Sequence, residues 1–85
     1  VYNNLLELIG KTPLVKLSKV VSPGMATVYA KMESLNPAGS VKDRMAAYIV
    51  RRAEERGEIR PGDTLVESTS GNTGLGLAII AAIKG

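Results

Sequence analysis

The stretch Thr64-Leu65-Val66-Glu67-Ser68-Thr69-Ser70-Gly71-Asn72-Thr73-Gly74, continuing into Leu75-Gly76-Leu77-Ala78-Ile79-Ile80-Ala81-Ala82-Ile83-Lys84, decides the fold. Thr64–Glu67 reads as a short strand, and residues 68–74 form a polar, Gly-rich loop. From about Gly74 to Lys84 the residues are apolar on nearly every side, which is the pattern of a helix covered all round by protein. Strand, loop and buried helix in that order open a parallel α/β sheet, and such a sheet needs further strands. A chain of 85 residues holds one small domain at most and can hardly cover that helix by itself. The expectation is an incomplete piece of a larger α/β protein.

Upstream, Ser40 is a preferred N-cap, and Asp43 three residues later favours the positive end of the helix dipole. Val41, Met45, Ile49 and Ala53 recur every four residues and predict the apolar stripe of a helix that Gly57 stops. Pro61-Gly62-Asp63 is a turn, and Asn36-Pro37-Ala38-Gly39 is a loop by composition. Nearer the N-terminus, Leu5, Leu8 and Ile9 fall at helical spacing, with Gly10 as a C-terminal cap. Leu14–Leu17 and Thr27–Met32 read as strands of a hairpin, with Ser22-Pro23-Gly24 ordered as a type II turn prefers. Residues 1–34 thus give a short helix and hairpin, and residues 35–85 the start of an α/β subdomain.

The chain contains no Cys and no His. Disulfides, Cys/His zinc sites, Ser-His-Asp triads and His bases are therefore excluded within it, and no metal site is expected. Chemistry here rests on Lys, Asp, Glu, Ser, Thr, Tyr or a cofactor. The net charge is +3, and the densest run, Arg51-Arg52-Ala53-Glu54-Glu55-Arg56, mixes both signs as a solvated helix face does. With no Phe, no Trp and three Tyr, platforms for stacking single-stranded nucleic acid are scarce. Val1-Tyr2-Asn3-Asn4 lacks the features of a signal peptide, and the apolar run Leu75–Ile83 is far shorter than the ~20 residues of a membrane span. A soluble cytoplasmic protein without nucleic-acid or membrane partners is expected.

Two features could carry chemistry. Gly71 and Gly76 have the spacing of a phosphate loop, but Leu77-Ala78 stand where Lys and Ser/Thr are required. Gly71, Gly74 and Gly76 give the dinucleotide spacing in reverse, so both nucleotide motifs fail. What remains is a helix N-terminus behind small residues, suited to a phosphate or carboxylate. The other reading is a plain turn in which Gly supplies tightness. Lys42 lies in the first turn of a predicted helix, where the dipole disfavours an ammonium. Desolvation there would also favour a neutral amine able to form a Schiff base. The other reading is a surface lysine that follows an N-cap.

Together the two features are more specific. Asn36-Pro37-Ala38-Gly39-Ser40-Val41-Lys42-Asp43-Arg44, followed by Glu67-Ser68-Thr69-Ser70-Gly71-Asn72-Thr73-Gly74, resembles the cysteine synthase and cystathionine β-synthase family. These are pyridoxal-phosphate enzymes of the tryptophan-synthase β-subunit fold, fold type II. Ile9-Gly10-Lys11-Thr12-Pro13-Leu14-Val15-Lys16-Leu17 looks like the family's N-terminal motif, so the resemblance spans essentially the whole chain. The lead-in Asn36–Gly39 looks more like the B-type than the A-type cysteine synthases. The resemblance implies a cytoplasmic, homodimeric transferase that makes L-cysteine from sulfide and an activated serine such as O-acetylserine. It implies pyridoxal 5′-phosphate as cofactor and Lys42 as its Schiff-base lysine. Asn72 would hydrogen-bond the 3′-oxygen of the cofactor ring. Thr69, Ser70, Gly71, Asn72 and Thr73 would form the loop that receives the substrate carboxylate. Asp43 and Arg44 match the motif and read as helix capping and structural pairing. The family's phosphate-binding loop and the group facing the pyridine nitrogen have no counterpart in residues 1–85.

Two other functions stay open at this point. Cystathionine β-synthase would use serine and homocysteine, and assaying each substrate pair separates the two. A non-catalytic basic binding module would show steeply salt-dependent binding and no chromophore. Residues 1–85 by themselves are expected to be molten or aggregated and inactive, because Thr64–Glu67 has no parallel neighbour and the last helix has no polar face.

Overall fold

Asn4 starts the first ordered turn, where its side-chain oxygen accepts the Leu6 N–H at 2.9 Å. In the computed structural model, which describes residues 1–85, Leu5–Leu8 is a 3₁₀ helix of 4 residues. The predicted helix is thus a single tight turn, and the chain leaves it through Gly10 at φ +84°. Strands β1 (Leu14–Lys16) and β2 (Tyr29–Lys31) pair antiparallel, with Val15 opposite Ala30. The hairpin is the predicted one with shorter strands. Its Pro23-Gly24 turn is closed by the Met25 N–H on the Ser22 carbonyl at 3.1 Å, with Gly24 at φ +86° as type II geometry requires.

Two helices follow, α1 (Lys42–Glu55) and α2 (Asn72–Lys84). Ser40 Oγ accepts the Lys42 N–H at 3.1 Å, so the predicted cap is in place at the start of α1. At its far end the Glu58 N–H bonds to the Ala53 carbonyl and the Gly57 N–H to the Glu54 carbonyl, a Schellman closure. Helix α2 begins two residues earlier than predicted, which brings Asn72 and Thr73 into its first turn.

The helices run parallel. Asp43 and Ala46 face Gly76 near their N-termini, Val50 packs with Ile80 in the middle, and Lys84 pairs with Glu54 at 2.7 Å near the C-termini. A parallel helix pair requires the intervening chain to travel back along their length, and residues 56–71 do so. This is the geometry of an α/β unit.

Two expectations are corrected here. The predicted strand Thr64–Glu67 forms no sheet pairing and is exposed throughout. A strand exists only through hydrogen bonds to a neighbour, and the only sheet of this chain is the distant β1–β2 pair. The predicted stripe of α1 is not its buried face either. Val41, Met45 and Ile49 stay 50%, 40% and 55% exposed, while Asp43, Ala46 and Val50 are buried against α2. The small Ala46 opposite Gly76 permits close helix packing, which the larger side chains of the other stripe would hold apart.

The core is correspondingly small, with Ala46, Val50 and Ile80 as its buried apolar residues. The radius of gyration is 16.5 Å, against about 12 Å for a compact chain of this length. The accessible surface is 6243 Å², against about 4900 Å² for a folded monomer of this mass. Much apolar side chain, including Leu75 on α2 at 54% exposure, remains without protein cover.

Candidate active site

Because α1 and α2 are parallel, their N-termini share one end of the molecule. Gly76 makes this close approach possible. A Cβ there would lie 3.3 Å from both Ala46 Cβ and Asp43 Oδ1. Asp43 is 1% exposed; its Oδ2 accepts the Ala38 N–H at 2.6 Å, and Oδ1 has no partner at the helix seam. Lys42 precedes Asp43, and Asn72 lies one turn before Gly76, so the seam places both predicted site residues at the same end. Two helix N-termini and a lysine bring positive charge to this end, part of which the buried Asp43 carboxylate offsets.

On the α2 side, Thr69 organises the turn. Its Oγ1 accepts the N–H of Gly71 and of Gly74, each at 3.2 Å. A Cβ on Gly74 would collide with the Thr69 methyl, so this close turn requires glycine. The Gly71 N–H is thereby taken up within the turn, whereas those of Asn72 and Thr73 have no protein acceptor. Gly71 contributes open space instead, with no atom within 4 Å of where a Cβ would stand. The Thr69 hydroxyl keeps its own proton to donate, since a hydroxyl both donates and accepts. Ser70 and Asn72 are exposed, and their side chains make no hydrogen bond within the chain.

On the α1 side, the Lys42 side chain is exposed and makes no hydrogen bond or ion pair. The desolvation expected from the sequence is therefore absent here, because the elements around Lys42 leave it open. The backbone that carries it is held by a polar cluster around Glu33. Arg44 forms an ion pair with Glu33, and the Thr12 hydroxyl donates to the same carboxylate. These two bonds, that from Arg44 foremost, hold the Glu33 carboxyl well below its ordinary value of 4.5, at about 2. The same pairing raises the Arg44 pKa. Arg44 Nη2 also donates to the Gly10 carbonyl at 2.8 Å. Its sequence reading as a structural pair thus corresponds to what it does.

Thr12 and Asn36 fall within the stretches that carry the family resemblance, but the sequence assigned no role to them or to Glu33. Their long-range pairing has no local signal, since Gly10 and Asn36 lie 26 residues apart and Thr12 and Glu33 lie 21 apart.

Between the two sides lies a cleft of about 290 Å³ whose lining includes Met45, Ile49, Ser68, Thr69, Thr73 and Leu77. Lys42 stands one turn before Met45 on α1, and residues three apart share a helix face. Met45 and Ile49 of the predicted stripe therefore form a wall of this cleft. An apolar wall, with an unbonded primary amine one turn from it and unpaired N–H donors at the start of α2, fits an aromatic aldehyde carrying anionic groups, and pyridoxal phosphate is such a molecule; the Glu67 carboxylate is the one anionic group in the lining.

The comparisons with known proteins point the same way. The family described as "Pyridoxal-phosphate dependent enzyme" matches residues 5–85. A cysteine synthase of Staphylococcus aureus is 55% identical over 83 residues, which are 98% of this chain and 27% of that protein. The crystal structure of an O-ureido-L-serine synthase superposes with a TM-score of 0.90 at 50% identity, covering 100% of this chain and 27% of that one. An O-acetylserine dependent cystathionine β-synthase from Helicobacter pylori gives a TM-score of 0.81 at 40% identity, over 99% of this chain and 28% of that one. The chain thus spans about a quarter of the length of these relatives (27% and 28%).

Proposed function

The chain belongs to the pyridoxal-phosphate dependent enzyme family, and we propose that it forms the amine and carboxylate-binding part of a cysteine synthase. The reaction is β-replacement on O-acetylserine, in which acetate leaves the β-carbon, sulfide takes its place and L-cysteine results. The observation that carries this reading is the convergence of the α1 and α2 N-termini beside a cleft lined by Thr69 and Thr73, with Lys42 one helical turn from its lining residue Met45. The name of the 55% identical relative supports the substrate choice. Residues 1–34 are read as a lead-in and hairpin, and residues 35–85 as the opening of a larger catalytic domain. The exposed apolar faces of α1 and α2 support that division. The enzyme is read as a cytoplasmic homodimer, on the family resemblance. No helix of this chain is long and apolar enough to cross a membrane.

When bound, pyridoxal phosphate supplies an electron sink for the pair left on the substrate α-carbon. Lys42 is the residue proposed to bond the cofactor covalently; once the substrate's amino group displaces it there, the freed Lys42 amine would take the α-proton as general base and later return it. Asn72 holds the ring through its side-chain amide. The N–H groups of Asn72 and Thr73, with the hydroxyls of Thr69 and Ser70, receive the substrate carboxylate, and Gly71 leaves the space for it.

Replacing Lys42 with Ala in the full-length protein tests the reading. The variant should fold but lose the visible absorbance of bound cofactor and lose turnover, by about 10²–10⁴-fold for the proton transfer alone. Normal turnover in that variant would reject the assignment. The likeness to a cystathionine β-synthase keeps serine with homocysteine as the second substrate pair to assay; preferential product from that pair would reassign the substrates while keeping the residues.

A further inference from the structure

The Lys42 side chain makes no hydrogen bond or ion pair, so no polar partner fixes its amine and its position depends on the backbone beneath it. That backbone is tied to a segment more than 30 residues away. Asn36, 4% exposed, accepts the Gly10 N–H on Oδ1 at 2.8 Å. Its Nδ2 donates to the Ser40 carbonyl at 3.0 Å and to the Glu33 carbonyl at 3.0 Å. Ser40 in turn accepts the Lys42 N–H through its hydroxyl. From the other side, Arg44 donates to the Gly10 carbonyl. The N–H and C=O of one residue are therefore gripped from both flanks of Lys42.

Gly10 suits this role on two counts. Its φ of +84° is poorly open to residues with a side chain, and a Cβ there would stand 2.9 Å from Arg44 Nη1.

We propose that Asn36 is a positioning residue for Lys42, anchoring the first turn of α1 to the Gly10 peptide, with Arg44 as the second arm. The proposal rests on the assignment of Lys42 above. A buried amide with every polar group engaged is a rigid reference, and small displacement at the base of a long, otherwise free side chain is carried to its tip. Misplacing a reacting group by about 1 Å costs on the order of 10²-fold in rate.

The test uses the full-length protein with pyridoxal phosphate bound, comparing Asn36→Ala with Val50→Ala. Val50 belongs to the small helix core and touches none of the anchoring bonds, so its variant reports instability alone. Asn36→Ala should shift the visible band of the bound cofactor and lower kcat by about 10²-fold with KM changed less than about threefold. Val50→Ala should lower the melting temperature while leaving band and kcat in place. If Asn36→Ala fails to fold, Arg44→Lys replaces it, keeping the charge opposite Glu33 but losing the fork that reaches Gly10. It should move the band in the same direction by less. Borohydride fixation of the cofactor on wild-type Lys42, with an unchanged band and kcat in the folded variants, would overturn the positioning role alone. Fixation on a different lysine would overturn both this role and the assignment beneath it.

Discussion

The two sides of the cleft are built differently. Around Lys42 the backbone is held by Ser40, Asn36, Asp43 and Arg44, whose bonds reach back to Gly10, Thr12 and Glu33. Across the cleft every residue from Pro61 to Asn72 is exposed, and from Thr64 to Asn72 the only side-chain bonds are those that Thr69 makes to its own turn. The α1 side spends its polar groups on the protein. The α2 side keeps the Asn72 and Thr73 N–H groups unpaired at a helix N-terminus, where an anion is the natural partner. A site that must hold a base steady and still admit a ligand has use for both arrangements.

Removing the seam that joins the two sides should have the largest effect on stability. Ile80 is 0% exposed and packs with Ala46 and Val50. Ile80→Ala should cost about 2–5 kcal/mol in denaturant unfolding of the full-length protein. A cost near zero would mean that the helices are held together by something other than this core.

A smaller effect is expected on the open side. Asn72 makes no side-chain bond within the chain, so Asn72→Ala should leave stability unchanged. It should weaken the hold on the cofactor by about 1.5–3 kcal/mol, the worth of a hydrogen bond to a charged group. Spectroscopic titration with pyridoxal phosphate measures this, and wild-type affinity with a wild-type spectrum would place Asn72 in the scaffold.

The smallest effect concerns the closed side and appears as a change of slope with pH. Folding holds the Glu33 carboxyl at about 2, below its ordinary 4.5. The folded state therefore gains from the ionised group above pH 4.5 and loses that gain as the pH falls toward 2. Glu33→Gln should flatten the acid limb of the stability profile over that window. Superimposable acid limbs for variant and wild type would show that the Arg44 and Thr12 bonds add nothing to folding.

The contrast between the sides also sets what the sequence could reveal. The Ser40 cap, the Gly57 stop, the Pro23-Gly24 turn and the hairpin are local events, and local residues announce them. The buried face of α1 is not local. Val41, Met45 and Ile49 at i, i+4, i+8 and Asp43, Ala46 and Val50 at i, i+3, i+7 both lie on one face of a helix, and only the partner decides which is covered. Gly76 on α2 made that decision by admitting Ala46. Thr64–Glu67 has strand character but no neighbour to pair with, so its residues alone could not make it a strand. The candidate residues Lys42 and 69–73 could be proposed from the sequence because each lies in a contiguous motif. The anchor formed by Gly10, Glu33 and Asn36 could not, because it exists only once two segments 26 residues apart, at Gly10 and at Asn36, meet.

The central claim is that the shared end of α1 and α2 presents Lys42 to the cofactor. Borohydride reduction of the full-length protein with bound pyridoxal phosphate, followed by peptide mapping, tests it most directly. The account predicts one stable adduct, on the peptide containing Lys42, and none in Lys42→Ala. An adduct of equal yield on any other lysine, with Lys42 unmodified, would contradict it.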